Sequence, residues 1–197
     1  MSIFSLSGKT VLVTGASSGF GHHFAGVLGR AGARVVLGAR RVDKIQARVD
    51  ELSAAGHEVL GLPLDVRDVD SAKNFLTGAV EAFGGIDVLI NNAGVEAGAK
   101  TYTMIDDEDW DYVFDTNLKA AWRLSKFYTQ WVAEQGGTGS IVNIASITAY
   151  RTIKGQFPYA VSKAALVKAT EIMALEGARY GVRVNALAPG YILTDVS

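Results

Sequence analysis

Short β-branched runs alternate with longer amphipathic stretches along this chain. "TVLVT" (10–14), "RVVLG" (34–38), "EVLGL" (58–62), "DVLIN" (87–91), "SIVNIA" (140–145) and "RVNALA" (183–188) read as six strands. After the first, Phe20, Phe24, Val27 and Leu28 fall at i, i+4, i+7 and i+8, which predicts the buried stripe of a helix that Gly32 ends. Asp43 with Gln46 matches a capping box opening a second helix, one that buries Ile45, Val49 and Leu52. Residues 107–135 bring Trp110, Val113, Phe114, Leu118, Ala121 and Tyr128 near one stripe of a long helix. A helix-length stretch after each strand implies parallel crossovers, hence a doubly wound α/β sheet with helices on both faces and nearly uninterrupted apolar strands. No repeat, low-complexity tract or linker breaks the pattern, so residues 1–197 read as a single domain.

Composition narrows the partners. Of 197 residues, 49% are hydrophobic and 20% charged, as in a globular chain with a sizeable core. Lys and Arg total 19 against 20 Asp and Glu, a net charge of -1, with no basic run, which disfavours nucleic acid or an anionic membrane as principal partner. The absence of cysteine rules out a disulfide framework and a thiolate zinc site. His22 and His23 are neighbours that share no helical face, and His57 is the only other histidine, so a zinc-dependent alcohol dehydrogenase is poorly supported. No apolar run reaches membrane-spanning length and the first ten residues lack a signal-peptide pattern, so the expectation is a cytoplasmic protein.

In a doubly wound sheet, ligands bind beyond the carboxyl ends of the strands, where strand order reverses. "TGASSGFG" (14–21) follows the first strand: Gly15, Gly19 and Gly21 suit a sharp turn into a helix, and that helix N-terminus offers amides to a pyrophosphate. A glycine-rich turn without a ligand is the bland alternative. The second strand ends at Ala39, Arg40 and Arg41, where a carboxylate for the adenosine ribose often stands; guanidinium groups there suit a 2′-phosphate and favour NADP over NAD, unless both are solvated. Strand three runs into Asp65 and Val66, and strand four into "NNAG", Asn91, Asn92, Ala93 and Gly94. Asn117 lies within the apolar stripe of the long helix, where a buried amide needs hydrogen bonds; a core asparagine so satisfied would look the same. Ser146 follows strand five, then "YAVSK", with Tyr159 and Lys163 one helical turn apart, and "PGYILT" (189–194) follows strand six.

In that order and spacing, "TGASSGFG", "LDV", "NNAG", Asn117, Ser146, "YAVSK" and "PG" resemble the short-chain dehydrogenase/reductase family over essentially the whole chain. The resemblance implies a Rossmann-type NAD(P)-dependent oxidoreductase acting on a ketone or 3-oxoacyl compound, or the corresponding alcohol, with a catalytic tetrad of Asn117, Ser146, Tyr159 and Lys163. It implies NADP(H) contacts from Gly15, Ser17, Ser18, Gly19, Phe20, Gly21, Arg40, Arg41, Asp65, Val66 and the "NNAG" residues. Tyr159, Lys163, Pro189, Gly190, Ile192 and Thr194 complete that set. It also implies a homodimer or homotetramer paired through the helices bearing Asn117 and Tyr159. Members normally continue past the "PG" loop, so a longer protein is expected. An NAD-dependent alcohol dehydrogenase and a non-catalytic nucleotide sensor are the competing readings.

The chemistry expected of the tetrad is acid–base. Hydride addition to a ketone leaves an alkoxide that needs a proton, and a tyrosine with its ordinary pKa of about 10 transfers one sluggishly at neutral pH. Lys163 together with an oxidised nicotinamide is expected to lower it. Ser146 would donate to the carbonyl oxygen and Asn117 would hold a relay water. Glu96, Ile147, Thr148, Arg151, Gln156 and Phe157 are candidate walls of the substrate pocket.

Overall fold

A computed structural model describes residues 3–192. Its strands are β1 (Thr10–Thr14), β2 (Arg34–Ala39), β3 (Val59–Pro63), β4 (Val88–Asn91), β5 (Gly139–Ile144) and β6 (Val182–Leu187), in the sheet order β3-β2-β1-β4-β5-β6. This is the α/β class expected, and each strand lies within about one residue of its expected bounds, within the scatter of any strand assignment. The chain falls into two compact units, one reaching to Asn92 and the other covering Ala93–Ile192.

In the first unit, β1 pairs in parallel with β2 on one side and β4 on the other, so strand order reverses at β1. Every residue of β1 is buried, as are all but the first of β2, which explains their unbroken apolar sequences. β3 is apolar throughout, as expected, but only half-buried. Helix α1 (Gly19–Arg30) turns a different face inward from the one its large residues suggested. Gly21, Ala25, Gly26 and Gly29 are buried, whereas Phe20 and Phe24 are half-buried and stack on each other at 5.9 Å, and Val27 is exposed. Small residues on the inner face let the helix approach β1 and β2 closely, which the bulkier stripe would prevent.

Helix α2 (Val42–Ala54) buries Ile45 and Leu52 as expected, with Val49 half-buried, but its capping box does not form. The helix begins before Asp43, with Arg41 in the cap position, and Gln46 donates to Asp50 at 2.8 Å instead. Helix α3 (Val69–Phe83) is capped by Asp68, whose carboxylate accepts the Ser71 amide at 2.6 Å.

In the second unit, the long helix is α4 (Asp107–Phe114), a π turn (Asp115–Lys119) and α5 (Ala120–Gln135) run together, opened by Asp106, which accepts the Asp109 amide at 2.7 Å. Val113, Ala121 and Tyr128 of its expected stripe are buried; Trp110, Phe114 and Leu118 are half-buried. Two short 3-10 segments, Ile147–Ala149 and Ala178–Tyr180, bracket α6 (Phe157–Gly177). β5 and β6 pair in parallel from Gly139 and Val182 onward. β6 alternates at first and then exposes Asn185, Ala186 and Leu187, a departure from the uninterrupted apolar pattern.

Candidate functional site

At the carboxyl end of β1 the chain turns through Gly15 and Gly19, whose φ angles of 67° and 56° lie in the left-handed region that side chains disfavour. The turn delivers α1 with Ser18 in the cap position, and the Ser18 side chain accepts no amide of the helix, which leaves the first-turn N–H groups open to an anion. Gly21 answers a different need. A Cβ there would stand 2.6 Å from the Asn92 amide nitrogen and from the Gly15 carbonyl oxygen, so this glycine is required by close packing. Asn92 fastens the turn from β4: its side chain donates to the carbonyls of Thr14 at 2.8 Å and Gly15 at 3.2 Å, and its backbone N–H donates to Thr14 Oγ1 at 3.0 Å.

Arg41 reaches across from the end of β2 to the same turn. Its Nη2 donates to Ser17 Oγ at 2.8 Å and to Ser18 Oγ at 2.7 Å, and its Nε to Ser17 Oγ at 3.2 Å. Arg40, beside it, is exposed. An open helix N-terminus, two loop hydroxyls and two guanidinium groups with no carboxylate make a donor set suited to a phosphorylated dinucleotide. Asp65, half-buried, accepts the Arg67 amide at 3.0 Å, and Val66 and Asn91 are buried.

The second unit assembles the tetrad. Ser146 and Tyr159 come close enough for the serine hydroxyl to act on the phenol, drawing its pKa down. Ser146 stands at the end of β5 and heads the 3-10 segment, accepting the Thr148 amide at 3.2 Å. The neighbouring Ile147 amide donates to the Pro189 carbonyl at 2.9 Å, which ties the "PG" loop to the serine. Lys163 is buried, donates to the Ile144 carbonyl of β5 at 2.7 Å, and lies 5.7 Å from the centroid of the Tyr159 ring. Burial lowers the Lys163 ammonium to about 8, so it remains largely protonated at neutral pH.

The Tyr159 phenol is held above its ordinary value, first by burial, against which the Ser146 hydrogen bond acts, and then by the negative charge of Glu96 and by Tyr191. Burial is the largest influence on the phenol of the chain by itself; the expected lowering is that of Lys163 together with an oxidised nicotinamide. Asn117, in the π turn, has both N–H groups of its amide engaged, one with the Val95 carbonyl at 2.9 Å and one with Ser162 Oγ at 3.0 Å, while its Oδ1 accepts the Val95 amide at 2.8 Å. Its amide N–H groups are engaged within the protein, as a buried amide requires, and are not available to a relay water.

Ser162 was not singled out by the sequence reading. It is fully buried, accepts from Asn117, and donates to the Tyr159 carbonyl at 2.7 Å, so it links two tetrad residues through one hydroxyl. Its place three residues after Tyr159, on the same helical face, was the available signal. Thr148 and Gln156 carry buried side-chain oxygens without a hydrogen-bond partner, as expected of groups lining a pocket for a polar ligand. Ala93 is half-buried and Gly94, Gly190 and Ile192 are exposed, with Pro189 half-buried; Thr194 lies outside the described residues. Among the described residues no group of three or more His, Cys, Asp or Glu side chains could hold a metal ion, and no helix is long and apolar enough to cross a membrane.

Comparison with known proteins gives one consistent answer. A family model described as short chain dehydrogenase matches residues 9–197. Oxidoreductase UcpA of Salmonella typhimurium is 38% identical over 193 residues, covering 98% of this chain and 72% of that protein. A short-chain type dehydrogenase/reductase from Mycobacterium marinum superposes with a TM-score of 0.93 at 34% identity, covering 98% of this chain and 76% of that one. An actinorhodin polyketide ketoreductase variant solved with NADPH gives a TM-score of 0.90 at 38% identity, covering 95% and 72% of the two chains.

Proposed function

The chain belongs to the short-chain dehydrogenase family, and from that premise we propose that it is an NADP(H)-dependent reductase of ketones or 3-oxoacyl compounds, with Tyr159 as general acid and base. When bound, the nicotinamide supplies a hydride to the carbonyl carbon, or takes one back from the alcohol. As the C–H bond forms, the Tyr159 hydroxyl gives its proton to the carbonyl oxygen. Ser146 donates to the same oxygen, holding it in place and stabilising its developing charge. The Lys163 ammonium, 5.7 Å from the ring, then stabilises the phenolate that remains.

The observation that carries this reading is the buried Lys163 ammonium 5.7 Å from the centroid of the Tyr159 ring, with Ser146 acting on the phenol. Burial keeps the phenol protonated at neutral pH, so it stands as the acid of the reduction, and the Lys163 ammonium offsets the cost of giving that proton up. Support for NADP(H) comes from the absence of a carboxylate at the end of β2 and from the exposed guanidinium of Arg40 there. The NADPH in the related ketoreductase points the same way. The polar contacts of the cofactor are then assigned to the glycine turn, Arg40, Asp65 and the "NNAG" segment, with Gly21 and Asn92 shaping that turn from behind.

Self-association fits the outer face of the second unit. Trp122, Ile172, Leu175 and Tyr180 are exposed, and a groove of about 490 Å³ runs past Trp122, Met173 and Tyr180. The apolar residues of α6 are spread around its circumference, not gathered on one face, which suits burial on more than one side, as in a homodimer or homotetramer.

The test is a paired titration of NADPH and NADH at fixed ionic strength, followed by tryptophan fluorescence, and then a screen of carbonyl substrates. Tighter binding of NADPH and turnover of a ketone are expected. Equal or tighter binding of NADH would remove the NADP assignment, and binding of neither would remove the oxidoreductase reading.

A further inference from the structure

Helix α6 carries two buried hydroxyls that are held in the same way. Ser162 Oγ accepts from the Asn117 amide at 3.0 Å and donates to the Tyr159 carbonyl, one turn back, at 2.7 Å. Thr170 Oγ1 accepts from the Asn143 amide at 2.9 Å and donates to the Leu166 carbonyl, again one turn back, at 2.7 Å. A hydroxyl has a single hydrogen, and with an asparagine N–H on one lone pair that hydrogen is left for the helix carbonyl. Ser162 is wholly buried and Thr170 nearly so, which strengthens both bonds against competition from solvent.

The two attachments differ in what they hold. Thr170 ties the middle of α6 to β5, and the carbonyl it engages belongs to Leu166, a core residue with no chemistry of its own. Ser162 ties the first turns to the π turn, and its carbonyl belongs to the tyrosine assigned as acid and base. Helical spacing gives that same carbonyl to the amide of Lys163. The serine bond therefore bears on the one turn that carries both Tyr159 and Lys163. A serine bonded back to the preceding turn also bends a helix locally, which sets the tilt of that turn. Asn117 keeps the serine in register. Its own amide cannot swing, because Val95 holds it through both backbone groups, at 2.8 and 2.9 Å.

We propose that Ser162 is a positioning residue: its bond to the Tyr159 carbonyl, oriented by Asn117, sets where the phenol stands when the proton is transferred. It acts through the backbone and not on substrate or on the reacting atoms. The proposal rests on the reductase reading above and adds a residue to the machinery that reading describes. Misplacing a reacting group by about 1 Å costs up to about 10²-fold in rate, so a small tilt of this turn is enough.

Thr170 is a control built into the same helix. With ethyl acetoacetate as the ketone probe, kcat, KM and the dissociation constant of NADPH are measured in the wild type, in Ser162→Ala and in Thr170→Val. Ser162→Ala is also made in the Tyr159→Phe background. Both single variants should lose stability in urea unfolding. Only Ser162→Ala is expected to lower kcat, by about 10-fold, with KM and NADPH binding within about 2-fold. In Tyr159→Phe it should lower the residual turnover no further, because there is no hydroxyl left to misplace. Hydrogen exchange needs no turnover: amides over residues 157–163 should exchange faster in Ser162→Ala, and those beyond 166 should not. Should Ser162→Ala not fold, Ser162→Cys, close in size and a weak donor, is measured in its place.

An unchanged kcat in Ser162→Ala, an equal loss in Thr170→Val, or an additive loss in the Tyr159→Phe background overturns the proposal. A lowered kcat with exchange over residues 157–163 unmoved overturns it too, since the serine would then act by another route. If the wild type reduces no carbonyl compound while that exchange still responds to Ser162→Ala, the reductase reading fails and takes the positioning role with it, and only the anchor of α6 on the π turn stands.

Discussion

Asn117 clasps the backbone of Val95 from both sides, accepting its amide at 2.8 Å and donating to its carbonyl at 2.9 Å. Both bonds are part-buried, and Asn117 itself is almost wholly so, so truncation strands two backbone groups as well as Ser162 Oγ. Asn117→Ala should cost about 2 kcal/mol in urea unfolding and should speed amide exchange over residues 94–100 more than in α5. Equal stability, with activity alone reduced, would return the residue to a role in proton relay and discard its role as an anchor.

The Lys163 ammonium is a charge kept in the core at a cost, and pH exposes that cost. Its pKa is lowered by burial to about 8 from 10.5, so between those values the unfolded chain binds more protons than the folded one and stability rises with pH. Lys163→Met lacks this slope. The advantage of the methionine variant over the wild type should be greatest below pH 8 and shrink by about 2 kcal/mol between pH 8 and 9.5. Tyr159, raised, works in the opposite sense, losing its contribution as pH climbs through its folded value, but it is present in both proteins and cancels in the difference. Denaturant unfolding at several pH values reads the slope directly; parallel curves for the two proteins would mean that the lysine is not desolvated as the fold suggests.

Tyr159→Phe keeps the ring over Lys163 and removes only the hydroxyl that Ser146 meets. Turnover should fall by about 10²–10⁴-fold, the usual worth of a positioned acid–base group. The dissociation constant for NADPH, measured by fluorescence, should stay within about 2-fold, since the ring contributes shape and the hydroxyl chemistry. Loss of cofactor binding in step with turnover would assign the hydroxyl to the cofactor instead.

Strand positions were legible because burial on both faces leaves β1 and β2 continuously apolar, a pattern independent of what packs against them. The inner face of α1 was not, since a rule that rewards large apolar residues passes over a stripe of Gly21, Ala25 and Gly29, where closeness of packing is the gain. The π turn at Asn117 was equally hidden: nothing in "DTNLK" breaks a helix by propensity. At the site, residue types and spacing pointed to Ser146, Tyr159 and Lys163, which the fold brings near one another, but not to the direction of the Tyr159 shift. That direction depends on how burial, a hydrogen bond and a carboxylate from a distant loop balance, and only coordinates bring those together.

The two arginines at the end of β2 are engaged differently despite their adjacency. Arg41 spends its guanidinium on Ser17 and Ser18, at 2.8 and 2.7 Å, and so holds the turn that delivers the open amides of α1. Arg40, exposed beside it, keeps its fork for a ligand. Arg40→Ala should therefore weaken NADPH binding by about 10-fold and leave NADH binding nearly unchanged, because only NADPH carries the 2′-phosphate. Arg41→Ala should weaken both cofactors, since a looser turn serves the pyrophosphate common to the two. The salt dependence of NADPH binding should flatten toward that of NADH in Arg40→Ala but not in Arg41→Ala, because screening acts on the charge pair that has been removed. If the two variants exchange these signatures, Arg41 lets go of the serines to grip the phosphate, and the hydrogen bonds to Ser17 and Ser18 belong to the cofactor-free turn alone.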